Sequence, residues 1–471
     1  MKISKSKLGL AAAAVAGTLT LGLTTTQDVQ AANWLMLQGT EKSGAVGRAK
    51  VWGFIQPEVQ MTDGTLVPAG KWKGSKMQPN MLPPDLKSRA SFNIRRARVG
   101  VRGQGFPLDN KTNYFLLAEY GHNGITVPGG GGGATYLTDA SVTLNHLPYA
   151  RVRVGQFKTP GSEEGLQAIH VFDYINFTSV TDQLLLERFA DGDGSGTVNT
   201  PITAKAGAVN KPNGGVGAFR DVGVQLFDTI KQRDMEYAYA GMIGNGNGIN
   251  RQDNNGAKDI YGYFSAEKVF GGKGPRREGL KGFAWFHKGE RTLTTENPGD
   301  YDRDRSGLGF TFRKDKYRAA GEYIKASGLI RNGTDGAAAV GSTSADGVNS
   351  SVNYETDAEA NGWYIHGGYM VMKNLELDFR YDVLNRITDN AAKERKFSTA
   401  TIGAQYFINK KTRLVFNYEF RNMEVPNPGA IESALIAQGG TAGQAAAMKN
   451  AALDNADGLD DRISVQLLAI F

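Results

Sequence analysis

Apolar and polar residues alternate through most of this chain in runs of roughly ten, and turn residues separate the runs. The last run is the cleanest. In Arg462–Phe471, Ile463, Val465, Leu467, Ala469 and Phe471 share one face, while Arg462, Ser464 and Gln466 begin the other. Leu308, Phe310 and Phe312 alternate in the same way, as do Leu375, Leu377, Phe379 and Tyr381, and Leu414, Phe416, Tyr418 and Phe420. Successive side chains of a strand point to opposite faces, so each run predicts a strand with one apolar and one polar side. Reading back from the end predicts about sixteen strands. They fall near 48–60, 92–103, 112–121, 136–146, 149–158, 218–228, 234–243, 258–269, 279–289, 303–313, 316–326, 361–372, 374–384, 396–408, 411–421 and 462–471.

The connections sort by length. Those after even-numbered runs are short, as at Leu147-Pro148, Lys314-Asp315, Lys373 and Asn409-Lys410. Those after odd-numbered runs are usually long, the largest being 61–91, 159–217, 327–360 and 422–461. A soluble sandwich has no reason to sort its loops this way. A barrel through an outer membrane does, with short periplasmic turns and long extracellular loops. The expected fold is therefore all-β: a transmembrane antiparallel β-barrel of about sixteen strands, located in the bacterial outer membrane. The Ala-rich stretch Ala430–Ala452 predicts a short helix on the outer surface, and no internal repeat stands out beyond the hairpins.

The first residues follow a different pattern. Lys2, Lys5 and Lys7 precede an apolar run from Leu8 to Leu23, and Val29-Gln30-Ala31 has the small-residue character of a signal-peptidase site. Residues 1–31 are thus expected to be a signal peptide, leaving 32–471 as the barrel domain with 159–217 as its expected constriction loop. The apolar run is too short and too rich in Ala, Gly and Thr to span a bilayer comfortably. The 471 residues contain no cysteine, which excludes a lipid anchor on a thiol, disulfides and thiolate metal sites. Formal charge is +7, and removing residues 1–31 takes away three Lys and one Asp to leave +5. That mild excess, without an RNA- or DNA-binding motif, points to no nucleic-acid partner.

Charge placement carries the chemistry. In the second run, Ala97, Val99 and Val101 lie on one face, with Arg96, Arg98 and Arg102 on the other. Lipid-facing Arg near the bilayer centre costs roughly 2–4 kcal/mol each, so these three are expected to face the lumen. The fifth run repeats the arrangement, with Ala150, Val152 and Val154 outward and Arg151 and Arg153 inward; Lys158 ends it where the long third loop begins. A wet passage lined by guanidinium groups favours anions, through its potential and through forked hydrogen bonds to oxyanions. The alternative is that each cation pairs with a lumenal carboxylate, for which Glu119, Asp139, Asp221, Glu322, Glu376, Asp378 and Glu419 are available.

Several of these segments resemble the phosphate-selective porin O and P family of outer-membrane porins. Phe92-Asn93-Ile94-Arg95-Arg96-Ala97-Arg98 resembles its "RRAR" strand, and Arg151-Val152-Arg153-Val154-Gly155-Gln156-Phe157-Lys158-Thr159-Pro160 its "VGQFK-P" strand end. Leu137-Thr138-Asp139-Ala140 lies between those two, and Arg220-Asp221-Val222-Gly223-Val224-Gln225, Gly244-Asn245-Gly246-Asn247-Gly248 and Lys258-Asp259 follow them, so the likeness runs from about residue 48 to 270. The resemblance implies a trimeric, sixteen-stranded porin whose third loop folds inward. It also implies that Arg96, Arg98, Arg151, Arg153 and Lys158 guide anions such as phosphate; Arg102, inward by alternation, joins them as a pore-lining candidate. The chain departs from the pattern after Pro160, where an aromatic residue commonly follows. Here Gly161, Ser162, Glu163 and Glu164 place two carboxylates near the expected constriction, where they could offset nearby cations.

Other constellations weigh less. Asp191-Gly192-Asp193-Gly194-Ser195-Gly196 imitates the start of a calcium loop, but its twelfth position is Ile202, not Glu. Gly271-Gly272-Lys273-Gly274-Pro275 lacks the spacing of a phosphate-cradling loop and reads as a turn. His122, His146, His170, His287 and His366 have no metal-ligand spacing, and none forms a persuasive nucleophile pair. No enzyme, cofactor or metal is expected. Trp52, Phe54, Trp363, Tyr364 and Tyr369 are expected in the aromatic girdles at the rims. The expected function is a diffusion channel for small anions, with phosphate or other oxyanions as its finer form. The alternatives are a general non-selective porin, and a barrel serving as surface scaffold or adhesin. Expected partners are outer-membrane lipid and lipopolysaccharide, further copies in a homotrimer, small anionic solutes, and the barrel-assembly machinery through the terminal Phe471.

Overall fold

The computed structural model describes residues 33–37, 39–40, 49–64, 68–69, 73, 89–105, 109–123, 125–126, 135–186, 219–253, 255–272, 274, 276–293, 299–331 and 354–471. The expected leader, the Asp191–Gly196 stretch, the distal part of the third loop and most of 331–351 lie outside them.

Sixteen strands close into one barrel, each antiparallel to its neighbours in chain order. They are β1 (Lys50–Thr62), β2 (Ala90–Gln104), β3 (Thr112–Glu119), β4 (Tyr136–Leu147), β5 (Ala150–Lys158), β6 (Arg220–Gln232), β7 (Met235–Gly244) and β8 (Asp259–Gly271). The rest are β9 (Glu278–Leu293), β10 (Gly299–Lys314), β11 (Tyr317–Ser327), β12 (Glu359–Met372), β13 (Leu375–Arg386), β14 (Arg395–Asn409), β15 (Thr412–Glu424) and β16 (Arg462–Ile470). Every expected run is present. The seam is β1 against β16, with Phe54 opposite Ile470, Glu58 opposite Gln466 and Thr62 opposite Arg462. Gly53 and Phe471 finish it by exchanging backbone hydrogen bonds at 3.2 and 3.0 Å.

β9 and β10 run beyond their expected ends, pairing as far as Gly299 with Leu293. Their outer parts carry polar residues on both faces, such as Glu290, Arg291, Asp300 and Asp302. Above the hydrocarbon belt neither face has to be apolar, so the ladder continues after the alternation has faded. Among the described residues five short helices accompany the barrel: α1 (Trp34–Leu37), α2 (Glu163–Leu166), α3 (Ser179–Leu184), α4 (Pro428–Ala437) and α5 (Ala442–Asp457). The last two replace the single outer helix expected from the Ala-rich stretch. Ile431 and Leu435 are buried with Ala445, Met448 and Ala452, and a Thr441–Gln444 capping box starts α5.

The two faces separate as the alternation requires. Val99, Leu116, Val154, Ile243, Phe264, Leu308, Phe379 and Phe416 are exposed on the outer wall, whereas the polar residues between them are buried inside. Trp363 and Tyr369 are exposed with the outward set. Trp52, Phe54 and Tyr364 correct the girdle expectation, because strand parity turns them inward. Phe54 and Tyr364 are 1% and 2% exposed, and the rings of Trp52 and Phe54 lie 5.7 and 5.2 Å from that of His170 in the third loop.

One irregularity changes the inner surface. The β1–β2 register shifts between Gln56, opposite Arg96, and Pro57, opposite Ile94. Pro57 has no N–H to give the ladder, and the extra residue in the resulting bulge is Arg95. Arg95 therefore lies inside with Arg96 instead of facing lipid.

Candidate solute passage

The cations singled out in the sequence all lie on the inner side, and they divide into two groups. The outer group surrounds the start of the third loop. Arg96 donates to the amide oxygen of Gln56 at 3.1 Å, and Arg98 pairs with Glu119 at 2.7 Å, its register partner on β3. Lys158 ends β5 and donates to the carbonyls of Gly165, at 2.8 Å, and Gln167. Arg95 joins them through Glu58 (3.4 Å) and Asn176 (2.9 Å), as does Arg220, which makes a forked pair with Asp139 at 3.1 and 3.0 Å. Lys158 is within electrostatic reach of Arg220, Arg98 and Arg96.

The second group sits toward the periplasmic mouth, since Arg151 is two residues beyond the tight Pro148-Tyr149 turn. Arg151 pairs with Asp228 across β5 and β6. Arg153 donates to Thr143 Oγ1 at 3.2 Å and the Leu35 carbonyl at 3.1 Å, and its guanidinium lies 4.3 Å from the centroid of Phe227. Arg102 is half-buried over the Phe115 ring and donates to the Thr40 carbonyl at 3.4 Å.

The third loop folds into the barrel. Its described part runs from Thr159 to Leu186 and is bonded to walls on several sides. Ile175 N–H donates to Asn417 Oδ1 at 2.8 Å, Asn176 donates to Glu419 at 3.0 Å, and Arg380 donates to the Asn176 carbonyl at 2.8 Å. Tyr174 hydroxyl reaches the Phe379 carbonyl at 2.9 Å, and Asp173 pairs with Arg276 at 2.7 Å and Arg318 at 3.1 Å. Glu322 anchors the loop's base, accepting from Ser162 (2.9 Å), the Glu163 amide (3.2 Å), Trp285 (2.6 Å) and Tyr364 (2.7 Å).

Glu163 and Glu164 do bring acid to this region, but to other cations. Glu163 pairs with Lys281 at 2.7 Å. Glu164 faces Arg380 at 3.5 Å and accepts from the Thr178 hydroxyl at 2.7 Å, fixing the start of α3. The loop's own ionisable groups are strongly biased. Burial, reinforced by Arg413, Lys158, Arg98 and Arg102, pushes His170 down to about 3 and keeps it neutral. Burial opposes ionisation of Asp173, yet the guanidiniums of Arg318, Arg276, Arg313 and Arg413 outweigh it and hold that carboxyl well below its usual range. Burial raises the Tyr174 phenol, which stays protonated.

No helix among the described residues is long and apolar enough to cross a membrane; the strands do the crossing. A closed wall that pairs its backbone, an apolar exterior and an ionised interior together decide the setting. The chain is an outer-membrane β-barrel.

No family model matches the chain, and no curated protein does. Several solved structures are similar to it. The anion-selective porin from Comamonas acidovorans is 13% identical, with 90% of this chain and 99% of that one covered and a TM-score of 0.48. The outer-membrane channel DcaP of Acinetobacter baumannii is 12% identical over 92% and 100%, with a TM-score of 0.48. OmpF of Salmonella typhi, in complex with daunomycin, is 11% identical over 90% and 97%, with a TM-score of 0.49. The barrel assignment rests on the strand pairing and alternation above.

Arg95 was hidden by its bulge, because strict alternation from Arg96 puts it on the lipid side. Asp173, Arg276 and Arg318 were missed for another reason: they meet only when the third loop crosses the bore. Arg318, and Glu376 and Asp378 with which it pairs across the intervening strand, were readable as inward by parity, but not their common neighbour. Among the described residues no cluster of His, Asp or Glu is arranged to hold a metal ion.

Proposed function

We propose that this barrel is a diffusion channel for small polar solutes and that its passage favours anions. The observation that carries the reading is the composition of the outer group. Arg95, Arg96, Arg98, Lys158 and Arg220 share one stretch of inner wall with Glu58, Glu119 and Asp139, so cations exceed carboxylates there. An excess of fixed positive charge in a low-dielectric bore raises the local anion concentration and gives oxyanions forked donors. Arg96, whose hydrogen-bond partner among the described residues is the neutral Gln56, is the first candidate to meet a solute. Phosphate or another oxyanion is the finer form of this proposal, and the homotrimer is the assembly that accompanies it.

A second reading is a general porin with neutralised charges. The close pairs Arg98–Glu119 and Arg151–Asp228 favour it. Reversal potentials of purified protein in planar bilayers under a salt gradient separate the two. Anion-directed potentials that shrink in Arg96→Gln support the proposal, and potentials near zero or cation-directed ones defeat it. Titrating phosphate into chloride currents tests the finer form, since a built oxyanion site blocks at low concentration. A barrel that carries no current at all would be a scaffold.

A further inference from the structure

The second group of cations, toward the periplasmic mouth, faces a segment of the chain itself. Residues 33–37 and 39–40 precede β1, and the described part lies inside the barrel. Trp34, Leu35 and Met36 are 8%, 2% and 1% exposed, although α1 is a single helical turn that could not bury them alone. The turn is shaped locally, with the Asn33 side chain accepting from the Leu35 amide at 3.1 Å and its carbonyl from the Met36 amide at 3.0 Å. Barrel wall and third loop hold it as well. Trp34 Nε1 donates to Glu163 at 2.7 Å, and Asn33 reaches Ser265 on β8 at 3.5 Å. Arg153 donates to the Leu35 carbonyl at 3.1 Å, Arg102 to the Thr40 carbonyl at 3.4 Å, and Arg151 lies 3.7 Å from the Met36 sulfur. Gly39 has φ +64°, and a Cβ there would stand 3.3 Å from both Phe115 Cβ and Thr143 Oγ1, so the chain is pressed against β3 and β4.

Two of these contacts share a chemistry. The guanidiniums of Arg102 and Arg153, which would offer donors to a passing anion, instead donate to peptide carbonyl oxygens, which are neutral acceptors. The indole meanwhile occupies the Glu163 carboxylate, which also neutralises Lys281. The segment therefore lies against the inner wall between the third loop and the periplasmic mouth, near Arg151.

We propose that the segment whose described residues are 33–37 and 39–40 forms a plug seated on Arg102, Arg151 and Arg153, and that solutes pass when it leaves. The inference rests on the channel reading above. Its departure frees donors for anions, so an unplugged barrel conducts more and prefers anions more strongly. The seat is reversible in principle, because the described bonds to it are single hydrogen bonds and packed apolar side chains, with no covalent link.

The test compares the full chain with one lacking residues 33–40, each checked for the heat-modifiable gel mobility of a folded barrel and recorded in planar bilayers. At least a twofold rise in single-channel conductance, with reversal potentials moving toward anions, is expected for the truncated form. Equal conductance and selectivity in the two forms overturn the plug and leave the channel reading standing. Silence of every form overturns the channel reading and the plug with it. Should the truncated chain fail to fold, the chain's lack of cysteine offers a second route. An Asn33→Cys/Ser265→Cys variant, oxidised, should lose its large openings and regain them on reduction. Identical currents in the oxidised and reduced forms overturn the plug.

Discussion

Glu119 shows how much a single inner carboxylate holds. It accepts from Arg98 at 2.7 Å, from the Ala97 and Gly121 amides at 2.9 and 2.8 Å, and from Asn123 at 3.0 Å. Removing its charge while keeping its shape leaves Arg98 buried without its counterion, which costs about 3–5 kcal/mol in comparable cases. Glu119→Gln should therefore lower the denaturation midpoint of the barrel. The same change makes the inner wall around the outer group more positive, so anion preference in salt-gradient recordings should rise, opposite to Arg96→Gln. A variant with wild-type selectivity would separate this wall from the solute path. Gly155, in the "VGQFK" stretch, is fixed by backbone geometry instead. Its φ is +124°, and a Cβ would lie 2.2 Å from the Ala140 carbonyl oxygen. Gly155→Ala should destabilise the barrel by about 1–3 kcal/mol, read as an earlier loss of the folded gel band on heating. The glycine was legible as part of a motif, but the positive φ that requires it was not.

At the scale of elements, the strands were legible and the loop was not. Alternation needs only neighbouring residues on one strand, because lipid on one side and polar surroundings on the other act on each position separately. The inward fold of the third loop depends on Asn176 meeting Arg95, Arg380 and Glu419 from three strands far apart in sequence, and no local pattern encodes that meeting. The loop's seat should respond to acid. His170 has a folded pKa of about 3 against a reference of 6.5, so a released loop takes up a proton in that interval and a seated one does not. Seating is unaffected above pH 6.5 and weakens below it, by about 1.4 kcal/mol for each unit down to the folded value. Asp173, held low by its guanidiniums, acts in the same direction: its contribution is present above the ordinary Asp value and is lost as pH falls below it. Channel noise and conductance should change between pH 6 and 4 in the wild type. His170→Phe should abolish that upper part of the response, leaving the more acidic Asp173 part. An unchanged acid response in His170→Phe would show that this ring does not sense the loop's release.

For the whole molecule, the last condition is closure, and it comes down to the first and last strands. The outward row Ile463, Val465, Leu467 and Ala469 was readable from the sequence, and so was the position of Phe471 at its end. What it meets was not. β1 presents Gly53 to the terminal residue, and the two exchange backbone hydrogen bonds. A Cβ built on Gly53 would stand 2.4 Å from the Phe471 ring and 2.5 Å from the Arg98 carbonyl oxygen. The ring could swing toward lipid, since Phe471 is more than half exposed, but the Arg98 oxygen belongs to the β1–β2 ladder and cannot move without breaking it. Gly53→Val therefore strains the seam from both sides, and overpacking of this kind costs about 1–3 kcal/mol. Gly282, on the outer face of β9, is the matched control, because a Cβ there meets nothing within 4 Å. Valine suits a strand better than glycine, so Gly282→Val should fold as well as the wild type or better. Heat-modifiable mobility of the two variants refolded side by side decides the matter: Gly53→Val should lose its folded band at lower temperature, and equal stability of the pair would mean that the β1–β16 seam does not limit closure.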